Sequence, residues 1–442
     1  MAVNPATAAA LTDARAADAV ERIAALLVDS AVVVDDQATW LTPQLIGDLG
    51  ATAEGGEVAP INGRTGVACL YDGSAGIGWS LAVVGVHRGR ADLTVLAAAA
   101  LRHGLARAGP DSPPGLYDGA AGVGLAAVAG GVLLGVEELI AGGVELLRAA
   151  GSSSPAGDDL IDGTAGIALA CLRGAQLTGD DALFTAAQQQ AETLVARAHR
   201  RAWGWCWPSG DEPGLCGLAH GAAGAAWALG EVGGAIGRVV GGDARSASAP
   251  IPGDLAGTAD RLRAARDAAR HYERSWFDPR SSTWPDLRGD VAGPDGTPPR
   301  PNLWCHGGVG IGLSRLALHA IDPHPALAGE AVAAAAAAGR DAAEHVAAGV
   351  LPSGLTVCHG LGGTLALLVT AADHLDAPEH LDTARWLLSC ALEHLGTDPA
   401  AWPGGLLHEP GPGLMTGLAG TMLVLAGLDD PAALAPITRL SV

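Results

Sequence analysis

No lysine occurs in this chain; all 26 basic residues are arginine. Arginine without lysine is a codon-composition signature, and it points to a GC-rich genome more than to a function. With 47 acidic residues the formal net charge is −21. No basic stripe exists to neutralise phosphates, so no nucleic-acid partner is expected. The acidic balance favours a cationic partner or peptide. Aromatics are scarce too, with two Phe and three Tyr. Few strand-favouring aromatics beside many Ala and Leu favour helix. Cysteine is sparse and odd in number: Cys69, Cys171, Cys206, Cys216, Cys305, Cys358 and Cys390. Such a scatter does not make a disulfide framework. Residues 1–27 lack a basic segment ahead of an apolar core, so no signal peptide is expected. The longest uncharged apolar run, Gly119 to Val136, is short and Gly-rich for a membrane span, so no integral membrane segment is expected. A cytoplasmic, reducing compartment fits these absences.

Glycine, by contrast, is abundant, and much of it is ordered. Gly-x-x-Gly opens an apolar, small-residue segment seven times, at Gly73, Gly119, Gly163, Gly221, Gly307, Gly360 and Gly417. Aligning the copies puts Asp72, Asp118, Asp162, His220, His306, His359 and Thr416 in one column. The column before it reads Tyr71, Tyr117, Ile161, Ala219, Cys305, Cys358 and Met415. Repeats of this period mean a repeated helical architecture.

The segments opened by Gly-x-x-Gly are nearly free of charge, as in Gly163–Leu172 and Gly360–Val369. A helix apolar on all sides is buried on all sides. Between them lie amphipathic stretches at helical spacing: Ala182–Arg201, Thr258–Trp276, Leu327–Ala348 and Glu379–Leu395. The economical arrangement is an inner ring of buried helices inside an outer amphipathic ring. That predicts an all-α fold, an α/α toroid of about seven inner and seven outer helices. The repeats run from about residue 60 to the C-terminus, and a single domain is expected over 1–442. Residues 1–55 are expected to give one or two outer helices, starting near Asp13. Two helices and their loops need roughly 40 to 50 residues, so the wider gap from Gly221 to Gly307 holds insertions. Residues 230–254, rich in Gly, Ser and Pro, and residues 280–303, rich in Pro, read as loops placed to cover the site.

All seven inner helices should start at one end of the ring. The residues just before each first Gly then line one mouth. Cys305, His306, Cys358 and His359 come together there as four candidate ligands of the kind zinc prefers. The remaining cysteines read as small buried hydrophobes. His220 sits in the same column and titrates in the range of an acid–base catalyst.

These residues resemble the lanthionine synthetase C family, the lanthipeptide cyclases. The matching stretches are Trp304-Cys305-His306-Gly307-Gly308, Cys358-His359-Gly360, Gly217-Leu218-Ala219-His220-Gly221 and Asp159-Leu160-Ile161-Asp162-Gly163. The resemblance covers about residues 60–442, with all repeats in order. It implies one Zn2+ per chain on Cys305, Cys358 and His359, with an exchangeable fourth ligand. It implies a precursor peptide whose Ser and Thr are already dehydrated, and whose cysteine thiol adds to dehydroalanine or dehydrobutyrine to close a thioether ring. It makes His220 the catalytic acid or base, oriented by Asp159. Asp159 also suits a helix cap, and Asp162 competes for the role through its place in the column. The family's Arg four places before the first zinc Cys is Pro301 here; Arg300, one place earlier, takes the expectation. His306 stands where the family has Tyr or His, as a hydrogen-bond donor or a fourth ligand. With no kinase or lyase segment ahead of the toroid, dehydration is assigned to a separate dehydratase.

Three other readings compete. One joins glutathione to dehydrated residues. Another is a non-catalytic zinc protein that binds peptides, with a closed site of Cys305, His306, Cys358 and His359. An α/α-toroid glycosidase would need paired carboxylates, and it leaves both Cys-His pairs unexplained.

Overall fold

The computed structural model describes residues 5–41, 67–109, 112–208, 213–241, 254–291, 293, 295–404 and 411–442. Helix α1 (Pro5–Asp29) precedes a short hairpin of β1 (Val32–Val34) and β2 (Gln37–Thr39). Helical pairs follow: α2 (Ser74–His87) with α3 (Ala91–Arg107), α4 (Ala120–Leu134) with α5 (Glu137–Gly151), and α6 (Thr164–Thr178) with α7 (Asp181–Arg197). A second hairpin, β3 (His199–Arg201) and β4 (Gly204–Cys206), leads to α8 (Ala222–Val240) and α9 (Leu255–Arg274). Then come α10 (Gly308–Ile321) with α11 (Pro325–Ala347), and α12 (Leu361–His374) with α13 (Glu379–Leu395). The last inner helix is α14 (Leu418–Gly427), followed by the short α15 (Ala435–Thr438).

The even-numbered helices α2 to α14 open on the repeats and form the inner ring. Each packs on the next, and α14 packs back on α2, so the ring closes. The odd-numbered helices α3 to α13 pack outside, and α1 covers α13 and α14 as the outer partner of the last repeat. The fold is an α/α toroid. Among the described residues the β-strands are the four three-residue strands of two hairpins.

Sterics explain the second glycine of each repeat. A β-carbon at Gly76 would collide with the Leu70 carbonyl, and one at Gly122 with the Leu116 carbonyl. The first helical turn lies directly on its own loop, six residues back, in every copy. The loops then join into a belt. Tyr71 N–H donates to the Tyr117 carbonyl, Tyr117 to Ile161, Leu160 to Ala219, Ala219 to Cys305, Trp304 to Cys358, Cys358 to Met415, and Met415 back to Tyr71, at 2.7 to 3.2 Å. Buried N–H and C=O groups must be paired, and this belt pairs them while fixing the mouth. Thr416 N–H and Oγ1 both donate to the Asp72 carboxylate across the seam between last and first repeats. Below the belt, Arg173 Nε donates to the Arg439 carbonyl at 2.9 Å, and Ile437 and Leu440 are buried. The C-terminal segment therefore packs beneath the inner helices.

Two expectations change. The N-terminal region gives one helix that starts at Pro5, ahead of Asp13, and a hairpin; residues 42–55 lie outside the described residues. The expected loop at 230–254 begins too early, because α8 continues to Val240. Its glycines are packing positions. A β-carbon at Gly230 would strike Leu318, and one at Gly233 would lie 3.1 Å from Leu262 Cβ. Residues 242–253 lie outside the described residues. Segment 280–303 carries no α-helix among its described residues.

A buried charge cluster ties α9, α10 and α11 together. Arg315 is fully buried, pairs with the buried Glu273 carboxylate, and donates through Nε to Glu330 Oε2 at 2.5 Å. Removing one member of such a group leaves an uncompensated buried charge. Arg315→Met is expected to destabilise the fold by about 3–5 kcal/mol, read by chemical denaturation.

Candidate metal centre and its imidazoles

Cys305, Cys358 and His359 converge at the mouth. One ligand atom from each lies within 4.8 Å of the others. Cys358 Sγ and His359 Nε2 are 3.8 Å apart, and the Cys305 thiol reaches the Cys358 carbonyl at 3.8 Å. Sulfur and nitrogen around a tetrahedral zinc are about 3.5 Å apart, so this spacing fits. The donor chemistry fits too. The hydrogen bond from Cys358 pulls the Cys305 thiol down to about 4 against burial, with His359 adding to the pull. Burial pushes Cys358 well above its ordinary value, and the Cys305 charge adds to it. A cation between the two sulfurs would displace the protons they carry. His359 is raised by its hydrogen bond to Cys305, against burial. Its Nδ1 is buried with no hydrogen-bond partner among the described residues.

Tyr71 reaches the same sulfur from the first repeat. Its hydroxyl hydrogen-bonds Cys358, and burial raises it above its ordinary range. Edge-to-face contacts run from Tyr71 to Tyr117 (6.2 Å) and on to Trp304 (5.2 Å), forming an aromatic wall under the belt.

His220 stands beside this cluster. Its Nδ1–H donates to Asp159 Oδ2 at 2.6 Å, which leaves Nε2 for chemistry. Burial alone would lower this imidazole, but the Asp159 hydrogen bond and charge outweigh it, with Asp162 and Cys305 adding, and hold it above its ordinary value. Asp159 is lowered in turn: burial opposes ionisation, and the His220 hydrogen bond overcomes it. The other oxygen, Asp159 Oδ1, accepts from the Ile161 and Asp162 N–H groups at 2.9 and 3.0 Å. Asp159 therefore shapes its loop and faces His220 at once. Asp162 is exposed as a residue, but partial desolvation of its carboxyl and then the charge of Asp159 raise it to about 6.

The other two expected site residues fall differently. His306 is buried and stacks on His220, with ring centroids 5.9 Å apart and planes 24° from parallel. It is not part of the metal cluster; its Nδ1 faces Asp286 Oδ1 at 3.7 Å. Arg300 is exposed and donates to the Trp276 and Thr283 carbonyls at 3.4 and 3.0 Å, so it secures a loop. The guanidinium whose charge bears on His306 and His359 belongs to Arg288 instead. Arg288 Nη2 donates to Asp286 Oδ2 at 2.6 Å, and that pairing lowers Asp286 against its burial. Sequence reasoning missed Asp286, Arg288 and Tyr71. Tyr71 alone had a signal, its place in the column of Cys305 and Cys358.

A closed ring of paired helices, with two thiols and an imidazole gathered at its mouth, defines a toroidal enzyme scaffold with a candidate metal centre. A family model described as lanthionine synthetase C-like protein matches residues 68–438. The chain belongs to that family, and through it to the lanthionine synthetase cyclases. No curated protein matches it. Among solved structures it is similar to one titled nisin cyclase, at 17% identity and a TM-score of 0.53, covering 83% of this chain and 90% of that one. That likeness is one of fold. No helix among the described residues is long and apolar enough to cross a membrane.

Proposed function

We propose that this protein is a zinc-dependent cyclase that adds cysteine thiols of a ribosomally made peptide to its dehydroalanine or dehydrobutyrine residues. The observation that carries this reading is the Cys305, Cys358 and His359 cluster with the Asp159–His220 pair beside it. Those three side chains would hold the metal, offering two sulfurs and one imidazole nitrogen. When bound, zinc would supply the Lewis acidity that turns a substrate thiol into a thiolate near neutral pH. The thiol sulfur bonds to the alkene β-carbon, and the electron pair moves to the α-carbon as an enolate. His220, held above its ordinary pKa, donates a proton from Nε2 to that α-carbon. Asp159 keeps the imidazole in the tautomer and orientation this needs, as carboxylates do beside catalytic histidines. The thiol proton passes to solvent and His220 takes one back from solvent, so the imidazole is restored and the peptide keeps its mass.

The peptide must arrive dehydrated, so a dehydration reaction precedes this one. The acidic surface favours a cationic peptide. The test is a dehydrated, cysteine-containing precursor incubated with the zinc-loaded enzyme. Free thiols should disappear from alkylation counts while the peptide mass stays constant. A mass increase that needs added glutathione would identify the intermolecular reaction instead. Thiols that persist at the enzyme-free rate would remove the cyclase reading.

A further inference from the structure

Cys305-His306-Gly307 and Cys358-His359-Gly360 are the same tripeptide in the same register, yet only one imidazole joins the thiols. Zinc readily takes two thiolates and two imidazoles, and that set closes a site to substrate. Adjacency does not exclude His306, because adjacent Cys358 and His359 do converge. The difference lies in what faces each ring. His359 Nδ1 meets no hydrogen-bond partner among the described residues, whereas His306 Nδ1 faces Asp286 and its ring lies against His220. Asp286 is itself fixed: it is 3% exposed, Arg288 grips its carboxylate, and its N–H donates to the Pro299 carbonyl at 2.8 Å. The backbone diverges as well. Gly307 has φ +94°, a value that favours glycine, whereas Gly360 has φ −101°.

We propose that Asp286, braced by Arg288, is a positioning residue that holds His306 off the metal and keeps the fourth coordination place open for the substrate thiol. The thiol as occupant rests on the cyclase reading; the coordination itself does not. At 3.7 Å the contact is longer than a hydrogen bond, so Asp286 acts by charge and by filling the space beside the ring. Asp286 and Arg288, which lie outside the repeats, thus set the coordination number of a site that the repeats build.

The test uses X-ray absorption at the zinc edge on the zinc-loaded parent, Asp286→Ala, and Asp286→Ala combined with His306→Ala. The parent should show two sulfurs and one imidazole. Asp286→Ala should gain a second imidazole, and the double variant should lose it again. KM for a dehydrated peptide should rise roughly 10- to 100-fold in Asp286→Ala, the usual scale for groups that orient metal ligands. Should Asp286→Ala fail to fold by circular dichroism, Asp286→Asn keeps the shape and removes the charge. A single imidazole in the folded Asp286 variant overturns the proposal whatever the kinetics, and so does a parent that already has two. If the coordination changes as expected but the parent closes no rings, the positioning role stands and the cyclase reading falls.

Discussion

His220→Ala is expected to slow ring closure by roughly 10²- to 10⁴-fold, the usual range for a general acid–base group. Zinc content and helical circular dichroism should not change, because His220 lies outside the three-residue metal cluster and is only partly buried. Free-thiol counts by alkylation give the rate, and ring stereochemistry must be read as well, since uncatalysed closure is chemically possible. Asp159→Asn should cost less than His220→Ala, because the imidazole remains. It should also shift the pH profile. Asp159 raises the His220 pKa, so removing its charge lowers that pKa, and the protonated acid is lost at a lower pH. The alkaline limb of the rate should therefore move down. Asp162→Asn should mainly affect stability. If Asp162→Asn abolished activity while Asp159→Asn left it intact, the proton donor would be organised through Asp162 and the role given to Asp159 would be wrong.

Cys358→Ala is expected to abolish zinc binding and reduce ring closure to the enzyme-free rate. It deletes one of three protein ligands and strands the Tyr71 hydroxyl that contacts its sulfur. Cys305→Ala and His359→Ala should behave alike. The fold should survive, because a ring this size buries enough apolar surface without a metal. Retained zinc in Cys358→Ala, measured by elemental analysis, would contradict the cluster as the binding site. Loss of helical circular dichroism on chelation would make the metal a structural one.

The ring was legible because sterics repeat it. Each second glycine lies against a carbonyl six residues back, so every copy must write Gly there. Outer helices follow from amphipathic spacing; Glu379–Leu395 matches α13 at both ends. The 230–240 stretch misleads because Gly230 and Gly233 look like loop residues and are contact points for Leu318 and Leu262. The site was legible where it sits in the repeat column, as for Cys305, Cys358, His359 and His220. Asp159 lies outside that column, and only the family resemblance singled it out from Asp162. Asp286 and Arg288 had no signal at all. A proline-rich loop carries no period, so nothing in the spacing says that Arg288 turns toward the imidazoles while Arg300 turns to the Trp276 and Thr283 carbonyls. Tyr71 meets Cys358 only because the last repeat closes on the first.

The most direct measurement is a zinc titration of chelated enzyme against a dehydrated precursor peptide, following bound metal and ring closure together. Both should rise in proportion and level off at one zinc per chain, with peptide thiols lost at constant mass. Ring closure at full rate in the metal-free protein, or none with the site filled, would contradict a zinc-dependent cyclase.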